Sequence, residues 1–101
     1  MFCLTLDPDH EDIIKSLSYI PVGLGKKKFS KECISDYSGQ NISNKNPYYG
    51  EYSFHYWIWK NYLEKIETEW VGFCQYRKFF VTQNIMEKEF NFENFKKLLI
   101  Y

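Results

Sequence analysis

The opening of the chain constrains the fold more than any other stretch. Phe2 to Leu6 is a short apolar run of residues that favour extended backbone, and it reads as a buried strand. Asp7-Pro8 follows: aspartate suits a helix cap, and proline suits the first helical position, where its missing N–H costs nothing. Glu11 and Asp12 lie in the opening turn, where negative charge complements the helix dipole. Ile13, Ile14 and Leu17 then supply one apolar face. Tyr19 to Val22 is a second short strand, and Gly23-Leu24-Gly25 turns out of it. Strand, helix and strand at this spacing make a βαβ unit, so the sheet is expected to be parallel. Ligands of such sheets bind beyond the carboxyl ends of the strands, which places Asp7 and the glycine turn near any site. The Gly-Leu-Gly lacks the spacing of a phosphate loop and carries little by itself.

A chain of 101 residues holds one domain at most. Its formal net charge is zero, which gives no electrostatic footprint for nucleic acid. The basic run Lys26-Lys27-Lys28 with Lys31 reads as a solvated loop. Cys3, Cys33 and Cys74 form no CxxC pair and no Cys/His cluster, so no zinc site is expected. Cys3 and Cys74 lie in apolar runs and read as small buried hydrophobes, a usage that suits a reducing cytoplasm. There is no signal-peptide pattern, and no apolar stretch reaches the ~20 residues of a membrane helix. A cytoplasmic protein is expected.

Lys26 to Asn46 is a polar connection long enough to suggest function. Asn46-Pro47 then reads as a helix start, with Asn46 as the cap. About half the residues from Tyr48 to Tyr62 are aromatic. A core does not need so much Tyr and Trp, whose hydroxyl and indole groups require partners when buried, whereas sugars and nucleotides suit such a surface. On a helix from Glu51 to Leu63, Tyr52, Tyr56, Trp59 and Leu63 fall on one stripe and Phe54, Ile58 and Tyr62 on another. Ser53 and Lys60 share the side expected to meet water. A helix apolar nearly all round is normally buried. Glu51 and His55 are one turn apart between the stripes, either as an internal pair or as a ligand contact. Trp70 to Cys74 reads as a further buried strand with Gln75-Tyr76-Arg77-Lys78 at its carboxyl end. Arg77 there could grip a phosphate bidentately or join a nearby carboxylate. Charged and aromatic residues alternate through the tail, and Phe92 to Leu99 reads as an amphipathic helix. The final apolar Ile100-Tyr101 carries no cap, so a truncated domain is expected.

The central residues carry a resemblance. Asp36-Tyr37-Ser38-Gly39-Gln40-Asn41-Ile42-Ser43, Lys45-Asn46-Pro47 with Tyr49, Glu51, Tyr56-Trp57, Trp59-Lys60-Asn61, Gly72-Phe73 and Tyr76-Arg77-Lys78-Phe79-Phe80 resemble a bacterial surface-polysaccharide glycosyltransferase family, long filed as domain of unknown function family 4422. The family pattern runs roughly D-N-T-G-x-N-I-S-x-K-N, Y-x-E-x-T, Y-W-x-W-K-N and G-L-x-H-Y-R-R-Y-F. Ser38, Gln75 and Lys78 depart from it, where the pattern has Thr, His and a second Arg. The similarity runs in order from about Tyr19 to Phe80.

That resemblance implies an α/β fold of the GT-A (Rossmann-like) type, a parallel sheet flanked by helices, with residues 1–101 as a single, incomplete nucleotide-sugar-binding part. It implies donor-binding roles for Asp36, Asn41, Lys45, Asn46, Tyr49 and Tyr76 beside Glu51, His55 and Arg77. The implied partners are a nucleotide-sugar donor and a lipid-linked glycan acceptor, with no nucleic acid, at the inner face of the plasma membrane by peripheral association. GT-A enzymes commonly hold the diphosphate through a metal on an Asp-x-Asp at a strand end; here Asp7-Pro8-Asp9 opens a helix instead. No cofactor is therefore expected in this segment: either a divalent ion (Mn or Mg) is left to a longer enzyme, the reading favoured, or cationic residues such as Arg77 and Lys78 replace it. The competing expectation is a non-catalytic aromatic-rich interaction module or an inactive remnant.

Overall fold

The computed structural model describes residues 1–83 and 91–101. Four strands form one sheet: β1 (Phe2–Thr5), β2 (Ile20–Gly23), β3 (Ile34–Ser35) and β4 (Phe73–Gln75). Their order is β3-β2-β1-β4 and every pairing is parallel. Phe2 lies opposite Ile20 on one side and Phe73 on the other, and Leu4 lies between Val22 and Gln75. Among the described residues the α-helices are α1 (Glu11–Ser16), α2 (Asn46–Tyr49), α3 (Tyr52–Asn61) and α4 (Phe92–Leu98). The expected α/β architecture, a parallel sheet flanked by helices, is what the chain adopts.

Alternation along β1 divides the core. Phe2 and Leu4 point to one face and join Val22, Leu24, Phe54, Trp57 and Ile58, with α3 covering that side. Cys3 points to the other face and joins Ile14, Leu17, Tyr19, Cys74 and Leu99. α1 begins as expected: Asp7 accepts the Asp9 amide at 3.2 Å, Pro8 opens a single 3-10 turn over Pro8–His10, and α1 continues from it. In so short a helix Ile14 and Leu17 are buried while Ile13 stays half exposed, so the inward face is narrower than the sequence suggests.

The structure corrects several expectations. β1 stops at Thr5 because the chain bends at Leu6, which is 56% exposed. The polar connection contains a strand, β3, paired with Val22 and Gly23. The last sheet strand starts at Phe73, not Trp70: its partner β1 begins at Phe2, so residues upstream have no ladder to join beyond the Phe2 amide on the Gly72 carbonyl at 2.8 Å. Trp70 is accordingly 86% exposed. Asn46 does not cap α2. A 3-10 turn over Ser43–Lys45 runs straight into the helix, and the Asn46 side chain instead donates to the Gly50 carbonyl at 2.9 Å and to Ser53 Oγ at 3.0 Å. Gly50, at φ 55°, makes the corner between α2 and α3, where a side chain would be strained. α3 is buried on one side only, and Ser53, expected to meet water, is fully buried.

The C-terminal helix forms over Phe92–Leu98, capped by Asn91, whose side chain accepts the Glu93 and Asn94 amides. Leu99 is the residue that reaches the core, while Phe92 is exposed. The alternating stretch before Asn91 lies partly outside the described residues.

Candidate functional site

The carboxyl ends of β1, β2 and β4 open into a cleft of about 400 Å³. Its floor is Leu4 and Thr5 at the end of β1 and Leu24 just past β2. Backbone bonds hold that floor: the Leu24 amide donates to the Thr5 carbonyl at 2.9 Å and the Tyr76 amide to the Leu4 carbonyl at 3.1 Å. This is where parallel α/β sheets place ligands, because loops diverge from neighbouring strands and leave space.

Asn46, Glu51, Tyr76 and Arg77 line this cleft, together with Asp7, which the βαβ reading placed near it. Arg77 is aimed by a turn. The strand ends at Gln75, and the Lys78 amide returns to the Gln75 carbonyl at 2.9 Å, so alternation along a strand no longer governs residues 76 to 78. The guanidinium carbon lies 5.2 Å from the Tyr76 ring centroid, and Arg77 is exposed. Glu51 Oε2 accepts from Gln75 Nε2 at 2.6 Å, tying the start of α3 to the end of β4.

Of the two readings of Glu51 and His55, the internal pair does not form, and His55 is not among the cleft's lining residues. His55 packs edge-on against Phe73 with centroids 4.5 Å apart, and its buried Nε2 has no hydrogen-bond partner among the described residues. Asp36 is fully buried beneath α3, where Ser53 Oγ donates to its Oδ2 and Oδ1 has no partner among the described residues. Burial pushes the Asp36 carboxyl above the ordinary range, with the Ser53 hydroxyl working against the shift. Through Ser53 and Asn46 this carboxyl fixes the Gly50 corner, so it supports the cleft rather than lining it. Asn41 is committed to its own loop, donating to the Tyr37 and Gly39 carbonyls at 2.8 and 2.9 Å and accepting from Ser43. Lys45 and Tyr49 are exposed and do not line the cleft.

Sequence reasoning missed His10, Lys27 and Gln75, which also line it. Lys27 had been absorbed into a solvated loop; its Nζ reaches Asp7 Oδ2 at 3.2 Å. The Asp9 amide, then Lys27, holds the Asp7 carboxyl below the usual carboxylate range. His10 ends the 3-10 turn that follows β1, and no local sequence signal marks it. Its ring stacks on Tyr76 with centroids 4.1 Å apart and planes 17° apart.

The residues present do not fit a metal. Among the described residues no group of three His, Cys, Asp or Glu side chains converges, and Asp7 is already engaged by an amide and an ammonium. Nor, among the described residues, is any helix long and apolar enough to cross a membrane.

Fold and site together define a small α/β domain whose parallel sheet opens, at its carboxyl edge, a cleft with an apolar floor and charged and polar side chains around it. The family model described as "Domain of unknown function (DUF4422)" matches residues 8–100, and the chain belongs to this family. No curated protein and no solved structure matches the chain.

Proposed function

We propose that the chain is the nucleotide-sugar-binding part of a glycosyltransferase acting in bacterial surface polysaccharide biosynthesis. The observation that carries this reading is Arg77, turned onto the rim of a cleft at the carboxyl edge of a parallel sheet. A planar guanidinium there can hold a diphosphate by two parallel hydrogen bonds, and Lys27 adds positive charge. The side-chain carbonyl oxygens of Gln75 and Asn46 are acceptors of the kind that read hydroxyl groups, with Glu51 held beside them by the Gln75 amide. The acceptor would be a lipid-linked glycan met at the inner face of the plasma membrane, and any divalent ion would be held outside the residues described. The surface-polysaccharide assignment itself rests on family resemblance.

The test compares a nucleoside diphosphate with the bare nucleoside on the wild-type chain and on Arg77→Ala. The diphosphate should lose affinity by the value of a charge-assisted contact, about 1.5–3 kcal/mol, while the nucleoside is unaffected. Arg77→Lys, which keeps charge but loses the planar fork, should lose part of it. Equal loss for both ligands, or for neither, would make Arg77 structural.

A second reading, an interaction module, is favoured by the outward stripe of α3: Tyr52 and Trp59 are 65% and 60% exposed. Concentration-dependent mass in solution separates it from the first.

A further inference from the structure

We infer that His10 is a ligand-binding residue of the cleft, presenting its Nε2–H as a fixed hydrogen-bond donor to an anionic oxygen of the phosphate or diphosphate class. The inference rests on reading the cleft as the ligand site.

The tautomer follows from Thr5, which is 2% exposed at the end of β1. Its Oγ1 accepts the Asp7 amide at 3.1 Å. The single hydroxyl proton then has two acceptors in reach, His10 Nδ1 at 2.7 Å and the Asp7 carbonyl at 3.4 Å. Donation to Nδ1 fits the 2.7 Å separation, the usual length for a hydroxyl donor and shorter than the ~2.9 Å usual for a ring N–H donating to Oγ1, and the reverse arrangement would leave the hydroxyl proton only the 3.4 Å contact. Nδ1 of the neutral ring is thereby an acceptor, and the ring proton resides on Nε2. Tyr76 fixes the ring plane by stacking, so flipping the imidazole would cost the Thr5 bond. With Nδ1 tied back to β1, the opposite edge of the ring carries the donor, and His10 is part of the cleft lining.

The chemistry around it selects an anion. The carboxylates of the cleft are already engaged: Asp7 by the Asp9 amide and Lys27, Glu51 by Gln75. Arg77 has no carboxylate within salt-bridge distance among the described residues, so its guanidinium is left for a ligand. A phosphate or diphosphate supplies the acceptors for it. Stacking and the Thr5 bond hold the donor in place before any ligand arrives, so little ordering is left for binding to bear.

Two measurements test this on the full chain. Nitrogen-resolved NMR of the His10 ring, at a pH where it is neutral, should find the proton on Nε2; a proton on Nδ1 overturns the inference. Inorganic pyrophosphate is then titrated against wild type, His10→Phe and His10→Gln. Phenylalanine keeps a flat ring for Tyr76 but removes the donor, and should weaken pyrophosphate about tenfold or more. Glutamine returns an amide donor and should recover part of that loss. Unchanged pyrophosphate affinity in His10→Phe, or no pyrophosphate binding by wild type, overturns the inference. If pyrophosphate depends on His10 but no nucleoside diphosphate binds more tightly than pyrophosphate, the donor assignment stands and the nucleotide-sugar reading falls. If a nucleoside diphosphate binds more tightly and ignores His10→Phe, this inference falls alone.

Discussion

The two faces of the sheet use the same strands and solve burial differently. On the α3 side the core is aromatic: Phe54 meets Phe2 at 5.6 Å, Trp57 at 5.7 Å and Phe73 at 6.0 Å between centroids. On the α1 side the buried residues are mostly small or aliphatic, Ile14, Leu17, Leu99 and the register partners Cys3 and Cys74, with one buried ring, Tyr19, and further rings only at the margin. A helix and a sheet separated by large rings leave gaps at their edges. Polar groups fill those gaps on the α3 side, where Asp36, Ser53 and Asn46 form a buried network. On the α1 side the buried charged group is Glu11, and its partners, Ser30 and Lys15, lie at the edge of the core. Within that core Cys3 and Cys74 lie side by side, and the hydrogen bond to Cys74 together with burial pushes the Cys3 thiol far above its ordinary value. That keeps Cys3 an unreactive thiol.

The largest break in this comparison should come from Phe54→Ala. The side chain is fully buried and touches three other rings, so a cavity forms that rigid neighbours cannot close. The expected cost is about 3–5 kcal/mol, read as a fall in melting temperature or denaturation midpoint. Cys3→Ala on the opposite face removes a single sulfur and should cost only ~1 kcal/mol. Similar losses at both positions would mean that the faces are not packed differently.

A finer contrast lies in two buried carboxylates with opposite shifts. Glu11 on the α1 side is pushed up by burial, but the Ser30 hydroxyl and amide at 2.6 and 2.9 Å, with Lys15, outweigh that and bring it below its ordinary value. Asp36 on the α3 side stays raised because burial wins over its bond to Ser53. The signs follow from proton counting. Glu11 binds fewer protons folded than unfolded near its titration, so its stabilisation is present above the unfolded value of ~4.3 and lost as pH falls through the lowered folded value. Asp36 binds more protons folded, so its contribution is lost as pH rises from the unfolded value of ~3.9 to the raised folded one. Glu11→Gln should therefore destabilise the protein near neutral pH by about 1–2 kcal/mol and flatten the acid limb. Asp36→Asn mimics the protonated carboxyl and should be neutral or stabilising at the same pH. Denaturation midpoints between pH 3 and pH 8 (about that span suffices for both titrations) check it. A destabilised Asp36→Asn near neutrality would show that the carboxyl is charged in the fold.

How far the sequence could be read depended on whether a residue's role was local. The βαβ opening was legible because its signals are neighbours in sequence: an apolar run, Asp-Pro, an acidic turn, another run. β3 was not, since two residues pairing with Val22 and Gly23 carry no periodicity of their own. Glu51 and Arg77 were read as site residues and do line the cleft, but the neighbour of Glu51 was not legible. Helical spacing suggested His55, whereas the real partner, Gln75, comes from a distant strand. His10 was passed over because a histidine after Asp-Pro acquires meaning only from Tyr76, brought beside it by the pairing of β1 with β4.

The smallest effect distinguishes two tryptophans that sequence alone cannot separate. Trp57 and Trp59 lie on the same helix, two residues and therefore about 200° apart, so one must face away when the other is packed. Trp57 is 8% exposed, and its indole N–H donates to the Ser38 carbonyl at 2.8 Å, pinning the polar connection to α3. Trp59 stands outside with Lys60 Nζ 3.6 Å from its ring centroid. Trp57→Phe should cost about 1–2 kcal/mol, since it leaves a gap and a carbonyl short of a donor. Trp59→Ala removes a larger group yet should cost only ~0.5–1 kcal/mol, the worth of an exposed cation–π contact and a little surface. Thermal melts of the two variants decide it. If Trp59→Ala proved the costlier change, the outward stripe of α3 would be packed against something in solution, and the interaction-module reading would gain at the expense of the isolated cleft.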